Sequence, residues 1–135
     1  MQYKPDDIPK IFLKQFPEYT KEYLSFRKSL SDKDRYDYIN AGEIAGYFLD
    51  IIIYDHEKVK DAVKIIDNLC KYGNDEVLDI MQIGFFEDIY LMLRNTWDRQ
   101  GLYLEKRKIL METLSKPLQE RFLNAEKYFK KDKNF

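Results

Sequence analysis

One segment of the sequence, residues 38–54, is apolar on almost every side and limits how the chain can fold. Its apolar members include Ile44, Ala45, Phe48, Leu49, Ile51, Ile52 and Ile53. The segment is too long for an ordinary strand, and it lacks the alternation of apolar and polar residues that a half-exposed strand requires. A helix that is apolar almost all round has to be buried among other helices. The segment therefore predicts a central, buried helix.

Apolar residues recur at spacings of three and four along the rest of the chain, which is typical of amphipathic helices. Glycine, proline and short polar residues separate the periodic segments, where they end or cap helices. The predicted helices cover residues 7–16, 18–30, 38–54, 57–72, 75–97, 102–114 and 117–129. We expect one all-α, compact domain of six or seven helices without a sheet, covering residues 1–135, with frayed ends at 1–6 and 130–135.

The length and the distribution of apolar residues bear on the cellular setting. A chain of 135 residues is long enough for one hydrophobic core. Its apolar runs are shorter than the roughly 18 residues of a membrane span, and its first residues lack the apolar region of a secretory signal. The single cysteine, Cys70, is expected to pack in the interior. We therefore expect a cytoplasmic protein that does not bind membranes.

The sequence contains no recognisable catalytic or metal-binding motif. His56 is the only histidine, whereas metal sites usually need three or four ligands. No cysteine pair, glycine-rich phosphate loop or paired nucleophile and histidine is present. Glu43 and Asp50 could serve acid–base chemistry, but two acids on one helix are common. We expect no enzyme activity, no cofactor and no metal.

Charge is distributed unevenly along the chain although the net charge is only -1. Residues 32–98 contain 15 acidic and 7 basic residues, whereas residues 99–135 contain 5 acidic and 10 basic residues. The basic residues of the C-terminal part alternate with glutamates at helical spacing, which indicates ordinary ion pairing and not a nucleic-acid surface. The acidic middle segment favours a basic partner and no nucleic acid.

A polar stripe interrupts the predicted central helix and continues into the next one. Glu43, Tyr47, Asp50 and Tyr54 are spaced by four, three and four residues, so they share one helical face. Asp55, Glu57 and Asp61 follow directly in the sequence. We predict that these seven residues form one partner-binding patch, in which acids attract the partner and tyrosines supply contact area.

Gly84 and Asp88 fall on the apolar face of the predicted helix 75–97 when residues are placed 100° apart. A buried carboxylate requires hydrogen-bond donors, so we expect Asp88 to be mostly buried with at least one protein donor. Gly84 would let another backbone approach closely, and Glu87 would be mainly exposed. The alternative is that Asp88 is a functional carboxylate held in a pocket.

Five short stretches lie at the starts and ends of the predicted helices or within them. They are Phe16-Pro17-Glu18-Tyr19, Tyr38 to Ala45, Gly73 to Val77, Ile83 to Asp88, and Leu114-Ser115-Lys116-Pro117. In this order they resemble a group of small, all-helical, largely uncharacterised bacterial proteins, some of which are similar to toxin-immunity proteins. The last helix departs from that pattern at Phe129, where a tryptophan is expected.

The resemblance implies an antidote that binds a cognate toxin domain and blocks it by occlusion. The acidic middle segment then suits a basic, nuclease-like toxin. An alternative is a non-catalytic helical adaptor or a homodimer, which would bury Tyr47 and Tyr54 against its own copy. The sequence leaves the oligomeric state open.

Overall fold

The computed structural model describes residues 2–30 and 36–131, without the side chain of residue 131. Within these residues the chain forms seven helices and no sheet, which confirms the predicted fold class. The first four helices are α1 (Asp7–Gln15), α2 (Thr20–Lys28), α3 (Asp37–Tyr54) and α4 (His56–Tyr72). The last two are α6 (Tyr103–Thr113) and α7 (Lys116–Lys131).

Between them, α5 is one continuous helix made of three segments. Asp75–Asp79 is α-helical, Ile80–Phe86 is π-helical and Glu87–Trp97 is α-helical. Asn74 caps its start, because the Asn74 Oδ1 accepts a hydrogen bond of 2.9 Å from the Val77 backbone N–H. Short 3₁₀ turns, Pro17–Tyr19 and Asp98–Gln100, precede α2 and follow α5.

The π-helical segment changes which residues of α5 face the core. A π turn contains one residue more than an α turn, so the side chains beyond it are rotated about the helix axis. A regular spacing of 100° per residue would place Tyr90 away from the face of Gly84 and Asp88 and Leu91 close to that face. Instead, Tyr90 is 2% exposed and Leu91 is 36% exposed. The sequence-based helical phase was therefore wrong beyond the π segment.

The helices α3 and α5 form the centre of the domain, which confirms the central position predicted for α3. They run in the same direction along their contact, because Gly42 faces Asp88 and Gly46 faces Met92. A side-chain carbon added to Gly84 would lie 2.8 Å from the Tyr38 carbonyl oxygen. The two backbones therefore meet at a distance that only glycine permits at this position.

The other helices cover this pair. Helices α1, α2 and α4 pack on α3, and α7 packs on α5, while α6 contacts both central helices. The buried side chains of α3 are Ala41, Ile44, Ala45, Phe48, Leu49, Ile51 and Ile52. None of the described helices combines the length and the apolar character that a membrane span needs.

The N-terminal segment is attached to the start of α5. The Tyr3 backbone N–H donates to the Tyr72 carbonyl at 2.8 Å, and the Asn74 N–H donates to the Tyr3 carbonyl at 2.9 Å. The fraying expected for residues 1–6 therefore does not extend to Tyr3. At the other end, residues 130 and 131 belong to α7, and residues 132–135 lie outside the described part.

A buried ion pair joins α6 to α7. Arg107 donates from Nε and Nη2 to the two carboxylate oxygens of Glu126, at 2.7 and 2.8 Å, and the Tyr103 hydroxyl donates at 2.7 Å. Burial alone raises the pKa of Glu126, but the hydrogen bonds from Arg107 and Tyr103 outweigh it and hold that pKa below its usual value. The negative charge of Glu126 is therefore stabilised, and its pair with Arg107 holds α6 and α7 together.

Candidate functional site

An open cleft of about 330 Å³ lies near the C-terminal ends of α3 and α5. Its walls come from α3, from α5 and from the segment that leads into α2. The lining residues are Tyr19, Glu22, Glu43, Gly46, Tyr47, Leu49, Asp50, Tyr54, Met92, Thr96 and Trp97. We call this feature the acidic cleft, because three of these side chains are carboxylates and none of the described lining residues is Lys, Arg or His.

Four of the seven residues of the predicted patch line the acidic cleft. Their helical spacing places Glu43, Tyr47, Asp50 and Tyr54 along one face of α3. Exposure increases along that face: Glu43 and Tyr47 are half-buried, Asp50 is exposed, and Tyr54 is 69% exposed at the last residue of the helix. The cleft thus has a closed inner end and an open outer end.

The inner end of the acidic cleft is held rigidly by contacts within the protein. The rings of Tyr19 and Tyr47 stack with their centroids 4.0 Å apart and their planes 11° from parallel. The Tyr19 hydroxyl donates to the Glu43 carboxylate at 2.9 Å. Burial, helped by this hydrogen bond to Glu43, raises the pKa of Tyr19, so the phenol remains a proton donor. Tyr47 and Glu43 therefore serve packing as well as the cleft surface.

Asp50 occupies the open part of the acidic cleft without a partner. No described residue donates a hydrogen bond to its carboxylate or forms an ion pair with it. The cleft walls remove part of the water around the exposed Asp50 carboxylate, which raises its pKa, and no described charge or hydrogen bond offsets that effect. A carboxylate in this state gains from the arrival of a cation.

The other three residues of the predicted patch lie outside the acidic cleft. Lys58 lies 2.9 Å from the Glu18 carboxylate and 3.4 Å from that of Asp55, so part of the local negative charge is neutralised. The hydrogen bond from Lys58 lowers the pKa of Glu18. Asp61 accepts a hydrogen bond of 3.4 Å from the Gln15 amide, and Glu57 is exposed. The predicted patch is therefore divided into a cleft and a flanking acidic surface.

Five cleft residues could not be found from the sequence. Tyr19 and Glu22 come from the start of α2, and Met92, Thr96 and Trp97 come from the end of α5. Met92, Thr96 and Trp97 reach the cleft because α5 lies parallel to α3 in one register, whereas Tyr19 and Glu22 reach it because α2 packs on α3. Gly84, at which the two backbones approach too closely for a side chain, is the sequence signal that points to the α3–α5 contact.

The comparison with known protein families gives one match over most of the chain. A family model described as a domain of unknown function, DUF7674, matches residues 9–130. The chain belongs to the DUF7674 family. The predicted resemblance to a family of largely unknown function is thereby confirmed. No curated protein and no solved structure matches the chain significantly.

In this DUF7674 protein, the burial and the hydrogen bonding of Asp88 differ from those predicted. It is half-buried, not mostly buried, and no described residue donates a hydrogen bond to it. No side-chain oxygen or nitrogen among the described residues is both buried and unpaired, so the carboxylate keeps contact with solvent. Burial raises the pKa of Asp88, and burial together with the neighbouring Asp88 raises that of Glu87. The rotation introduced by the π segment brings both acids to the edge of the α3–α5 contact.

Gly84 is buried, and the Tyr38 backbone is its nearest neighbour from another helix. Gly84 therefore allows a helix contact in the DUF7674 protein. Among the described residues, no ligand-binding feature lies beside it. The prediction that Glu87 is mainly exposed was also wrong, since Glu87 is half-buried.

A second cleft, of about 500 Å³, lies between α4 and α7 and is basic. Lys64, Lys71 and Arg121 line it together with Asp67, Asn68, Cys70 and Pro117. The Ser115 hydroxyl donates to Asp67 at 2.6 Å, and burial raises the pKa of Cys70 to about 11. The thiol packs against the core, which makes it a poor nucleophile at neutral pH.

His56 is exposed at the start of α4. Within residues 2–30 and 36–131, no group of three or more His, Cys, Asp and Glu side chains is arranged to hold a metal ion. A cleft lined by Arg94, Asp98, Tyr103 and Arg107 also combines charge with an aromatic ring, but its charges have both signs. Among these clefts, the acidic cleft combines carboxylates and aromatic rings without a basic residue in its described lining.

Proposed function

We propose that this DUF7674 protein is a cytoplasmic antidote that binds one cognate bacterial toxin domain and blocks it by occlusion, without catalysis. The observation that carries the proposal is the acidic cleft, which combines the unpaired carboxylate of Asp50 with exposed aromatic surface and has no described basic lining residue. Such a surface is complementary to a basic protein.

The rigid inner wall of the acidic cleft supports a role in binding a partner. An inhibitor needs a pre-formed surface, since ordering side chains upon association reduces affinity. The stacked pair of Tyr19 and Tyr47 and the hydrogen bond to Glu43 fix the inner wall before a partner arrives. Tyr54 supplies an exposed ring of the type that often dominates interface energies once water is excluded.

The charge of the acidic cleft supports a nuclease-like toxin as partner. Proteins that act on nucleic acids present Lys and Arg side chains to phosphates. Carboxylates can take the place of phosphates on such a surface because they carry the same sign of charge. The flanking acids Asp55, Glu57 and Asp61 extend the negative field and attract the toxin before contact is made.

The proposal is tested by co-expression with the product of the gene encoded directly upstream. The parent protein should restore growth to cells that express that product. Asp50→Lys should lose protection and bind at least about tenfold more weakly, because it places a like charge against a basic partner. Asp79→Lys, which changes an exposed aspartate of α5 away from the cleft, is the matched control and should protect like the parent.

The two parts of the patch should respond differently. The triple variant Asp55→Lys, Glu57→Lys and Asp61→Lys should associate more slowly and with weaker salt dependence, because these acids lie outside the cleft and act mainly through their field. Asp50→Lys should also speed dissociation. If no variant affects binding to the toxin, the patch is wrong; if the upstream product is harmless or unbound, the antidote role is wrong.

The second candidate is an adaptor or a homodimer, and it is favoured by an exposed apolar surface outside the acidic cleft. Tyr38, Ile39 and Ile83 are each about half exposed and adjoin the contact between Tyr38 and Gly84. Light scattering should give the monomer mass at all concentrations for an antidote that acts as a monomer. A mass that rises with concentration, and falls back in Ile39→Lys, would favour the homodimer.

A further inference from the structure

We infer that the acidic cleft receives one arginine side chain of its protein partner, with the guanidinium group paired to Asp50 and stacked on the ring of Tyr54. This inference rests on the proposed function, since it names the chemical group by which a basic partner is recognised. The proposed occupant is arginine. The experiment below compares it with lysine and with a neutral side chain.

The first step is the arrangement of α3. Tyr47, Asp50 and Tyr54 are separated by three and four residues, so the three side chains share one helical face, and all three line the cleft. Met92 and Trp97 form apolar surface on the α5 side of the cleft. A long aliphatic side chain that ends in a planar cation matches both parts of this lining.

The second step is a comparison with two other sites in the same protein, at each of which a carboxylate near an aromatic ring is paired with an arginine. The Arg94 guanidinium lies 4.2 Å from the centre of the Tyr103 ring and 3.1 Å from the Asp98 carboxylate. Arg107 likewise pairs with Glu126 and lies 5.8 Å from the centre of the Phe122 ring. Asp50 has the rings and the carboxylate but no described cation.

The third step distinguishes arginine from lysine. A guanidinium group is planar, donates two parallel hydrogen bonds to one carboxylate and stacks on an aromatic face, and it is less strongly hydrated than an ammonium group. The exposed ring of Tyr54 and the open carboxylate of Asp50 offer both contacts at once. Burial raises the pKa of Asp50, and a bound cation would reverse that effect.

Trp97 provides a direct test that needs no toxin. It is the only tryptophan of the protein and it lines the cleft. Purified protein is titrated with N-acetyl-arginine amide, N-acetyl-lysine amide and N-acetyl-citrulline amide, while Trp97 fluorescence and amide NMR shifts are followed. We expect saturable millimolar binding of the arginine compound, with shifts confined to the cleft, and binding of neutral citrulline weaker by about tenfold or more.

Two variants locate the binding group. Asp50→Asn should weaken binding of the arginine compound by about tenfold. Its matched control, Asp79→Asn, should bind it like the parent. The lysine compound should bind more weakly than the arginine compound, because it lacks the planar group that stacks on a ring. Binding of lysine or citrulline as tight as that of arginine, no saturable response, or an unchanged response in Asp50→Asn would each overturn the inference.

The same variants separate this inference from the antidote role. If the arginine compound binds through Asp50 but no toxin is recognised, the chemistry of the cleft holds and the antidote role fails. If a toxin complex forms with unchanged affinity in both Asp50→Asn and Tyr54→Ala, the antidote role holds and arginine capture by the cleft is wrong.

Discussion

The Asp88 carboxylate on α5 lies directly against Gly42 on α3, in the space that a side chain on Gly42 would need. One turn earlier, Gly84 on α5 faces the backbone of Tyr38 on α3. One turn later, Gly46 faces Met92, whose sulfur would lie 3.5 Å from an added side-chain carbon, an ordinary contact. The central helix pair therefore has three glycine contacts of unequal tightness.

Alanine at these three glycines should have graded effects on stability. Gly84→Ala should lower the free energy of unfolding by about 1–3 kcal/mol, because the new methyl group meets backbone that cannot turn away. Gly42→Ala should cost less, since the Asp88 side chain can rotate aside. Gly46→Ala should be neutral or stabilising by up to about 1 kcal/mol, because alanine favours the helix. Urea unfolding measures all three, and equal effects would contradict the packing described.

Replacing Asp88 by asparagine should stabilise the protein at neutral pH. Burial raises the pKa of Asp88 in the folded state, so folding favours its protonated form. Its contribution to stability is therefore largest below the ordinary value of 3.8 and is lost as the pH rises through the folded-state pKa. Asp88→Asn should melt above the parent at pH 7 and approach it in acid.

A donor bound to Asp88 would give the opposite result, since the unpaired donor would destabilise the variant. Asp79→Asn, at an exposed position of the same helix, serves as control and should change little at either pH. Thermal melts at several pH values distinguish the two cases.

Glu126→Gln should destabilise the protein by about 3 kcal/mol, because it leaves the partly buried Arg107 without its counter-charge. The folded-state pKa of Glu126 is lowered, so its stabilising effect is present above the ordinary value of 4.5 and is lost as the pH falls through the folded-state pKa. The control is Glu112→Gln, whose carboxylate lies 3.9 Å from Lys108 in an exposed pair. That variant should lose less than about 0.5 kcal/mol. Similar losses in urea unfolding would show that the pair with Arg107 has no special role.

Cys70 should react slowly with iodoacetamide in the folded protein. Burial raises its pKa from 9.0 to about 11, which reduces the thiolate at neutral pH by about a hundredfold before access is considered. Alkylation in urea, followed by mass spectrometry, is the control and should proceed at the rate of a free cysteine. Equal rates in the folded and unfolded protein would mean that the thiol is exposed.

The sequence by itself determined the class of fold and one wall of the candidate site. The spacing of apolar residues along segments such as residues 57–72 is a local property, so it predicts a helix without reference to which residues pack against it. The same reasoning places Glu43, Tyr47, Asp50 and Tyr54 on one face, because they belong to one uninterrupted helix. The central position of α3 follows from its apolar character on nearly all sides.

The tertiary structure decided the phase of α5 and the other walls of the cleft. The π segment, Ile80–Phe86, rotates the later residues of the helix, so Tyr90 and Asp88 occupy positions that a regular helical phase does not give. The α3–α5 contacts at Gly42 and Gly84 set the register that brings Trp97 into the same cleft as Asp50. Such a register depends on how closely two backbones can approach, and that depends on pairs of residues far apart in the sequence. Local periodicity carries no information about those pairs, so it predicts the helices and their faces but not which faces meet.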